Sequence, residues 1–136
     1  LTEVEYSQQF GMHRDDDVEA IAMKVAMDFE TSQGRKTEDV SKDNVGYDVR
    51  SIAANGEKRY IEVKGRAHTD GVMLSENEVN RLYQLGHKAW LYVVMECKSK
   101  PQLYMFNDPI RNMEFQKMVK GVQYFLPLEE WKSKTI

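Results

Sequence analysis

The sequence predicts an α/β (α+β) domain, a mixed central sheet flanked by helices, and three observations carry that prediction. Val18, Ile21, Ala22, Val25, Ala26 and Phe29 recur at the spacing that lines one face of an amphipathic helix. Segments 46–52 and 58–65 read as strands about Asn55-Gly56, a dipeptide that favours a tight hairpin turn. AWLYVVME, residues 89–96, is almost continuously apolar, as a strand buried on both faces is.

Taken in order, residues 1–16 show no clear period and read as an arm or lead-in, with a single domain over 17–136. Asp15-Asp16-Asp17 supplies N-cap candidates and favourable charge for the first helix, and Gly34 is its expected stop. The stretch 35–44 is polar, with Val40 in a short extended piece. Two hairpin strands follow, then a loop through Thr69-Asp70-Gly71 into a third short strand, Val72-Met73-Leu74. Ser75 with Glu78 three residues on is a capping box, opening a helix to about Leu85 that Gly86 ends. After the apolar strand, a turn at 98–101 leads to a strand at 103–106. Pro109 is expected to begin a third helix running to about Val119, and a strand at 122–126 and an amphipathic tail bearing Trp131 close the chain. The predicted order is α-β-β-β-α-β-β-α-β.

Composition narrows the function classes. The 136 residues are 41% hydrophobic and 30% charged, an ordinary globular balance. No apolar run approaches the roughly 20 residues of a membrane span, and LTEVEYSQQF at the start has no signal-peptide pattern. The sole cysteine, Cys97, excludes an internal disulfide or a Cys-based zinc site and makes a reducing cytoplasm the expected location. Because the chain does not begin with Met, it is expected to be a piece of a longer protein. A net charge of −3 argues against a generic nucleic-acid coat and leaves room for a locally basic site. Lys58, Arg59, Lys64, Arg66 and His68 crowd one stretch, and Arg35 and Lys36 are expected nearby.

That stretch, RYIEVKGR, holds the candidate chemistry. Ile61 and Val63 fall on one face of the strand; Tyr60, Glu62 and Lys64 fall on the other. Folding at Asn55-Gly56 brings Asp48 beside Glu62. Two adjacent carboxylates repel unless a cation lies between them, and hard oxygen ligands suit Mg²⁺, with Mn²⁺ as a substitute. Lys64 on the same face would position a water or stabilise charge on a phosphate. The simpler alternative is an exposed Glu62–Lys64 pair, contributing under about 1 kcal/mol. Asn77 and Gln84 are candidates to face the cleft and contact substrate. Arg66 meets a phosphate or only solvates the strand end, and His68, on the loop after the motif, is a further candidate. Glu78 is read as a capping-box acid. His13, His68 and His87 lack metal-ligand spacing.

GYD followed by IEVK resembles the signature of the PD-(D/E)xK nucleases, which place Asp, Glu and Lys on two adjacent strands after a helix that commonly carries a further Glu. The phrases GRKTEDVS, NVGYDVRS, RYIEVKGR, VMLSENE and WLYVV, in that order over roughly residues 17–110, resemble the NO VEIN C-terminal domain family, a nuclease-like domain often appended to helicases. The resemblance implies a restriction-endonuclease-like core, α-β-β-β-α-β, and a Mg²⁺-dependent nuclease acting on DNA in a restriction, repair or helicase-linked protein. The alternative it leaves is a catalytically inactive module that binds DNA or protein. It implies that Asp48 and Glu62 are metal ligands, that the Val63 carbonyl is a backbone ligand, and that Lys64 is the catalytic lysine. Tyr47 stands where Pro is usual. For the helix acid it offers Glu19, with Glu30 as runner-up; eleven residues separate them, about 16 Å along a helix, too far to share one metal. Fusion to further domains, a homodimer and no membrane contact complete the expectation.

Overall fold

The computed structural model describes residues 15–118 and 123–135. Helix α1 spans Asp16–Ser32 and opens on Asp15, whose carboxylate accepts from the N–H groups of Asp17 and Val18. Its buried stripe is Val18, Ala22, Ala26 and, unexpectedly for an acid, Glu30. The polar stretch holds an edge strand, β1 (Lys36–Asp39), and Val40, where the extended piece is expected, lies buried just past its end. Strand β2 (Val49–Ile52) and β3 (Lys58–Gly65) form the expected hairpin, with Val49 opposite Ile61 and Ile52 opposite Lys58.

Strand β4 (Val72–Ser75) leads directly into α2 (Glu76–Leu85), whose capping box is fully formed. A short 3-10 turn, Gly86–Lys88, precedes β5 (Ala89–Met95), and β6 (Gln102–Asn107) follows. The main sheet has the order β1-β2-β3-β5-β6. β5 lies between β3, to which it is parallel, and β6, to which it is antiparallel. Its central place accounts for its apolar run.

Two expectations are corrected. The third strand of the predicted core, β4, does not join the main sheet. It pairs with β8 (Gln123–Leu126) in a separate antiparallel sheet, β4-β8-β7. The helix predicted from Pro109 toward Val119 is one turn, α3 (Pro109–Asn112), and Gln116–Met118 is β7; Val119 lies outside the described residues. Pro109 does begin a helical turn, but the backbone of Gln116–Met118 pairs as a strand with β8. The C-terminal helix α4 (Leu128–Lys132) buries Trp131.

Each face of the main sheet has its own core. Val49, Ile61, Val63, Tyr92 and Val94 pack beneath α1. Leu91, Val93 and Met95 pack on the other face with Val79 and Leu82 of α2, Leu74, Leu126 and Trp131. Gly65 lets α1 lie close over β3, since a Cβ there would stand 2.7 Å from Ala22 Cβ. That approach carries the first turn of α1, and Glu19 with it, to the end of β3 where Glu62 and Lys64 lie. Among the described residues, no helix is long and apolar enough to cross a membrane.

Candidate active site

Asp48 stands just before β2, where the ladder to β3 stops. Its N–H donates to the Ile61 carbonyl at 2.9 Å, and its Oδ2 accepts the Val63 N–H at 2.8 Å. The side chain thus satisfies the backbone donor that lies between Glu62 and Lys64. Continuing the register of Val49 with Ile61 by one residue sets Asp48 opposite Glu62, and both side chains line one cleft.

Glu62 is 2% exposed. Burial, with the negative charges of Glu78 and Asp48, pushes its proton affinity well above the usual carboxylate range, against the pull of Lys64. The Lys64 ammonium lies 3.9 Å from Glu62 Oε1 and donates to both oxygens of Glu78, at 3.0 and 3.2 Å. Burial pulls Lys64 toward neutrality, but Glu62, Glu78 and Asp48 outweigh it, so the amine holds its proton more firmly than usual. Glu78 is disfavoured as an anion by burial, but Lys64 and the Ser75 N–H hold its carboxyl below the ordinary value.

These groups line a cleft with two adjoining lobes that share Ser41, Asp48, Glu62 and Glu78. The lobe under α1 also holds Glu19, Val63 and Lys64. The lobe under α2, about 600 Å³, is walled by Asn77, Asn80, Arg81 and Gln84. The structure therefore brings Asp48, Glu62, Val63, Lys64, Glu19, Asn77 and Gln84 to one cleft. Glu30 lies elsewhere: it is fully buried near the far end of α1, where Arg35 and the Tyr92 hydroxyl hold it. Arg66 turns into its own loop, donating to the Gly71 carbonyl at 2.8 Å, and His68 is exposed.

Two cleft residues escaped the sequence reading. Glu78 is the expected capping-box acid, yet the oxygen that accepts the Ser75 N–H at 2.8 Å also takes Lys64. The box itself was the available signal, because it fixes which way the N3 side chain turns. Arg81 donates to the Val45 carbonyl across the cleft at 3.1 Å, and nothing in the sequence pairs those positions. Gly46 accommodates it, with a φ of +87° and space that a Cβ would fill 2.7 Å from Arg81 Cγ.

Asp48, Glu62 and Glu78 thus cluster about the Lys64 ammonium, with Lys42 and Arg81 further along the lining, and crowded carboxylates of this kind suit a divalent cation. Among the described residues, no group of three or more His, Cys, Asp and Glu side chains is arranged to hold a metal by itself. Glu78 is taken by Lys64 and Ser75, which leaves Asp48 and Glu62 as the open pair.

The family model described as Protein NO VEIN, C-terminal, matches residues 18–106. No curated protein matches the chain in sequence. In fold it is similar to the Holliday junction resolvase Hjc of the archaeal hyperthermophile Archaeoglobus fulgidus, with a TM-score of 0.59 at 18% identity, covering 83% of this chain and 93% of that one.

Proposed function

The chain belongs to the NO VEIN C-terminal family, and from that premise we propose that it is a divalent-metal-dependent nuclease domain that hydrolyses phosphodiester bonds in DNA. The observation that carries the reading is the convergence of Asp48, Glu62, Lys64 and Glu19 on one cleft. The neighbour in fold is a Holliday junction resolvase, which makes DNA the substrate class proposed.

Asp48 and Glu62 would hold Mg²⁺, or Mn²⁺ in its place, with the Val63 carbonyl beside them, and Glu19, in the lining of the same lobe, would support the site through a metal-bound water. Mg²⁺ takes only one or two protein carboxylates and keeps several waters, which suits so open a pair. Bound there, the ion would supply charge neutralisation at the phosphate and a lowered proton affinity for water. The carboxylates around Lys64 favour its ammonium form, and the side chain would orient or activate the attacking water or stabilise charge on the phosphate. Asn77 and Gln84 offer amide groups to the nucleotides flanking the scissile bond. The proposed setting is a restriction, repair or helicase-linked protein.

The test combines Mn²⁺ binding by calorimetry with cleavage of labelled DNA. Asp48→Ala and Glu62→Ala should remove both. Lys64→Ala should remove cleavage and keep metal binding; cleavage at the wild-type rate by that variant would refute the role given to Lys64. One observation favours a second reading, a nuclease-fold module that binds without cutting: the ammonium sits nearer Glu78 than Glu62. DNA binding by a protein that takes up no Mn²⁺ would select it.

A further inference from the structure

A second cleft opens at the opposite end of β3, and its charge is reversed. Arg35, Lys58, Arg59 and Lys88 line it, with Glu57 at the rim, in a chain whose net charge is −3. The sequence places Lys58 and Arg59 close to Lys64 and Arg66, but the extended strand holds the two groups apart. Four residues of strand separate Lys58 from Glu62, about 13 Å.

Two of the four cations are fixed from below. Arg35 donates to both oxygens of Glu30, at 2.7 and 2.8 Å. Arg59 donates to the Tyr92 hydroxyl at 2.8 Å, and Tyr92 donates in turn to Glu30 at 2.7 Å. One buried anion therefore anchors two guanidinium groups whose outer edges line the cleft. Lys58 and Lys88 are exposed and have no carboxylate partner among the described residues. The Arg59 guanidinium covers one face of the Trp90 ring at 3.9 Å, a face that a base would otherwise stack on. The cleft is thus built to take charge. Tyr47 lines the carboxylate cleft and Tyr60 the basic one, and their rings meet edge to face at 5.1 Å, so the clefts adjoin.

We propose that this basic cleft binds the phosphate backbone of a nucleic-acid strand, about 13 Å along β3 from the bond held at Asp48 and Glu62. The strand's identity rests on the nuclease reading; the phosphate chemistry of the cleft does not.

The experiment titrates the full chain, in EDTA, into labelled single-stranded and duplex DNA between about 50 and 200 mM salt. Lys58→Ala/Lys88→Ala changes only exposed side chains, and circular dichroism checks its fold. Expected are a roughly ten-fold weaker complex and a fall of about 1.4–1.8 in the slope of log K against log salt, the loss of two phosphate contacts. Unchanged affinity and slope in the double variant would overturn the proposal. So would saturation of the cleft by pyrophosphate or ATP, followed through the Trp90 indole resonance, with no oligonucleotide binding. Cleavage with Mn²⁺ added, by the wild type and the double variant, separates the two readings. If the wild type does not cut but Lys58 and Lys88 still govern binding, the nuclease reading alone fails. If the wild type cuts and the double variant binds and cuts equally well, the second cleft alone fails.

Discussion

Replacing Glu30 tests whether a fully buried acid in this fold is structural. Its carboxylate is 0% exposed, meets Arg35 at 2.7 and 2.8 Å, and accepts from Tyr92 at 2.7 Å; Arg59 Nε is 4.0 Å away. Glu30→Ala removes the only anion among these groups and leaves two guanidinium groups and a phenol facing a void. Breaking a buried pair from one side costs about 3–5 kcal/mol, which lowers Tm by roughly 10–20 °C in a chain of this size. Glu30→Gln keeps the shape and one acceptor, and is expected to cost about 2–3 kcal/mol. The sign of the pH dependence follows from the environment. Burial alone would raise the Glu30 carboxyl, but bonds from Arg35 and Tyr92 outweigh it and hold the group below its ordinary value. A depressed carboxylate contributes stability above its unfolded pKa, about 4.3, and loses it as pH falls through the folded value. Urea unfolding of wild type and Glu30→Gln should therefore differ fully at pH 7 and converge in acid below about pH 4. A difference under about 1 kcal/mol at pH 7 would refute the ledger for this network. So would loss of Mn²⁺ binding in a folded Glu30→Gln protein, because it would place Glu30 in the metal site after all.

Asp48→Asn should abolish Mn²⁺ uptake in calorimetry while leaving the metal-free domain as stable as wild type or more so. The amide oxygen can still accept the Val63 N–H, and one repelling charge beside Glu62 is gone. Glu78→Ala removes half of the capping box and the nearer partner of Lys64; it should cost about 1–2 kcal/mol in urea unfolding and slow cleavage, while Glu78→Gln should recover most of the stability. Gly65→Ala forces a Cβ to 2.7 Å from Ala22 Cβ and 3.1 Å from the Val18 carbonyl. It should lower stability by about 1–3 kcal/mol and, by lifting the first turn of α1 away from the cleft, weaken metal binding more than the stability loss explains.

How much of this was legible in the sequence depends on the range of the interaction. The first helix, the hairpin, the capping box and the central strand were readable because each is specified by neighbours within one element or across one turn. Asp48 and Glu62 were readable because Asn55-Gly56 fixes their register. The failures are non-local. Nothing near Val72 tells it to pair with Leu126 and not with the main sheet. Nothing near Arg81 announces the Val45 carbonyl. Basic residues adjacent in the sequence, Arg59 and Lys64, belong to different clefts because a strand spends its length separating them. Glu30 continues the apolar stripe of α1; its pairing with Arg35, five residues on, is within reach of the sequence, whereas the Tyr92 hydroxyl that completes its shell is 62 residues away.

Two carboxylates, Glu30 and Glu62, are almost wholly removed from water on strands and helices of the same sheet, and their proton affinities move in opposite directions. Burial pushes both upward, so burial is not what distinguishes them. Glu30 meets two cations and a phenol, a complete set of donors for one anion, and its charge is settled within the fold. Glu62 meets Asp48, Glu78 and one ammonium that Glu78 already engages, so its surroundings favour the protonated form. Clusters of buried carboxylates with raised proton affinity are common at functional sites, where a bound cation favours their ionised forms. The separation holds without reference to the motif: had Asp48, Glu62 and Lys64 been only a surface ion pair, Glu62 would resemble Glu30 or would lie in solvent. It does neither, and that is why the cleft at Asp48 and Glu62, and not the network at Glu30, is the place to look for chemistry.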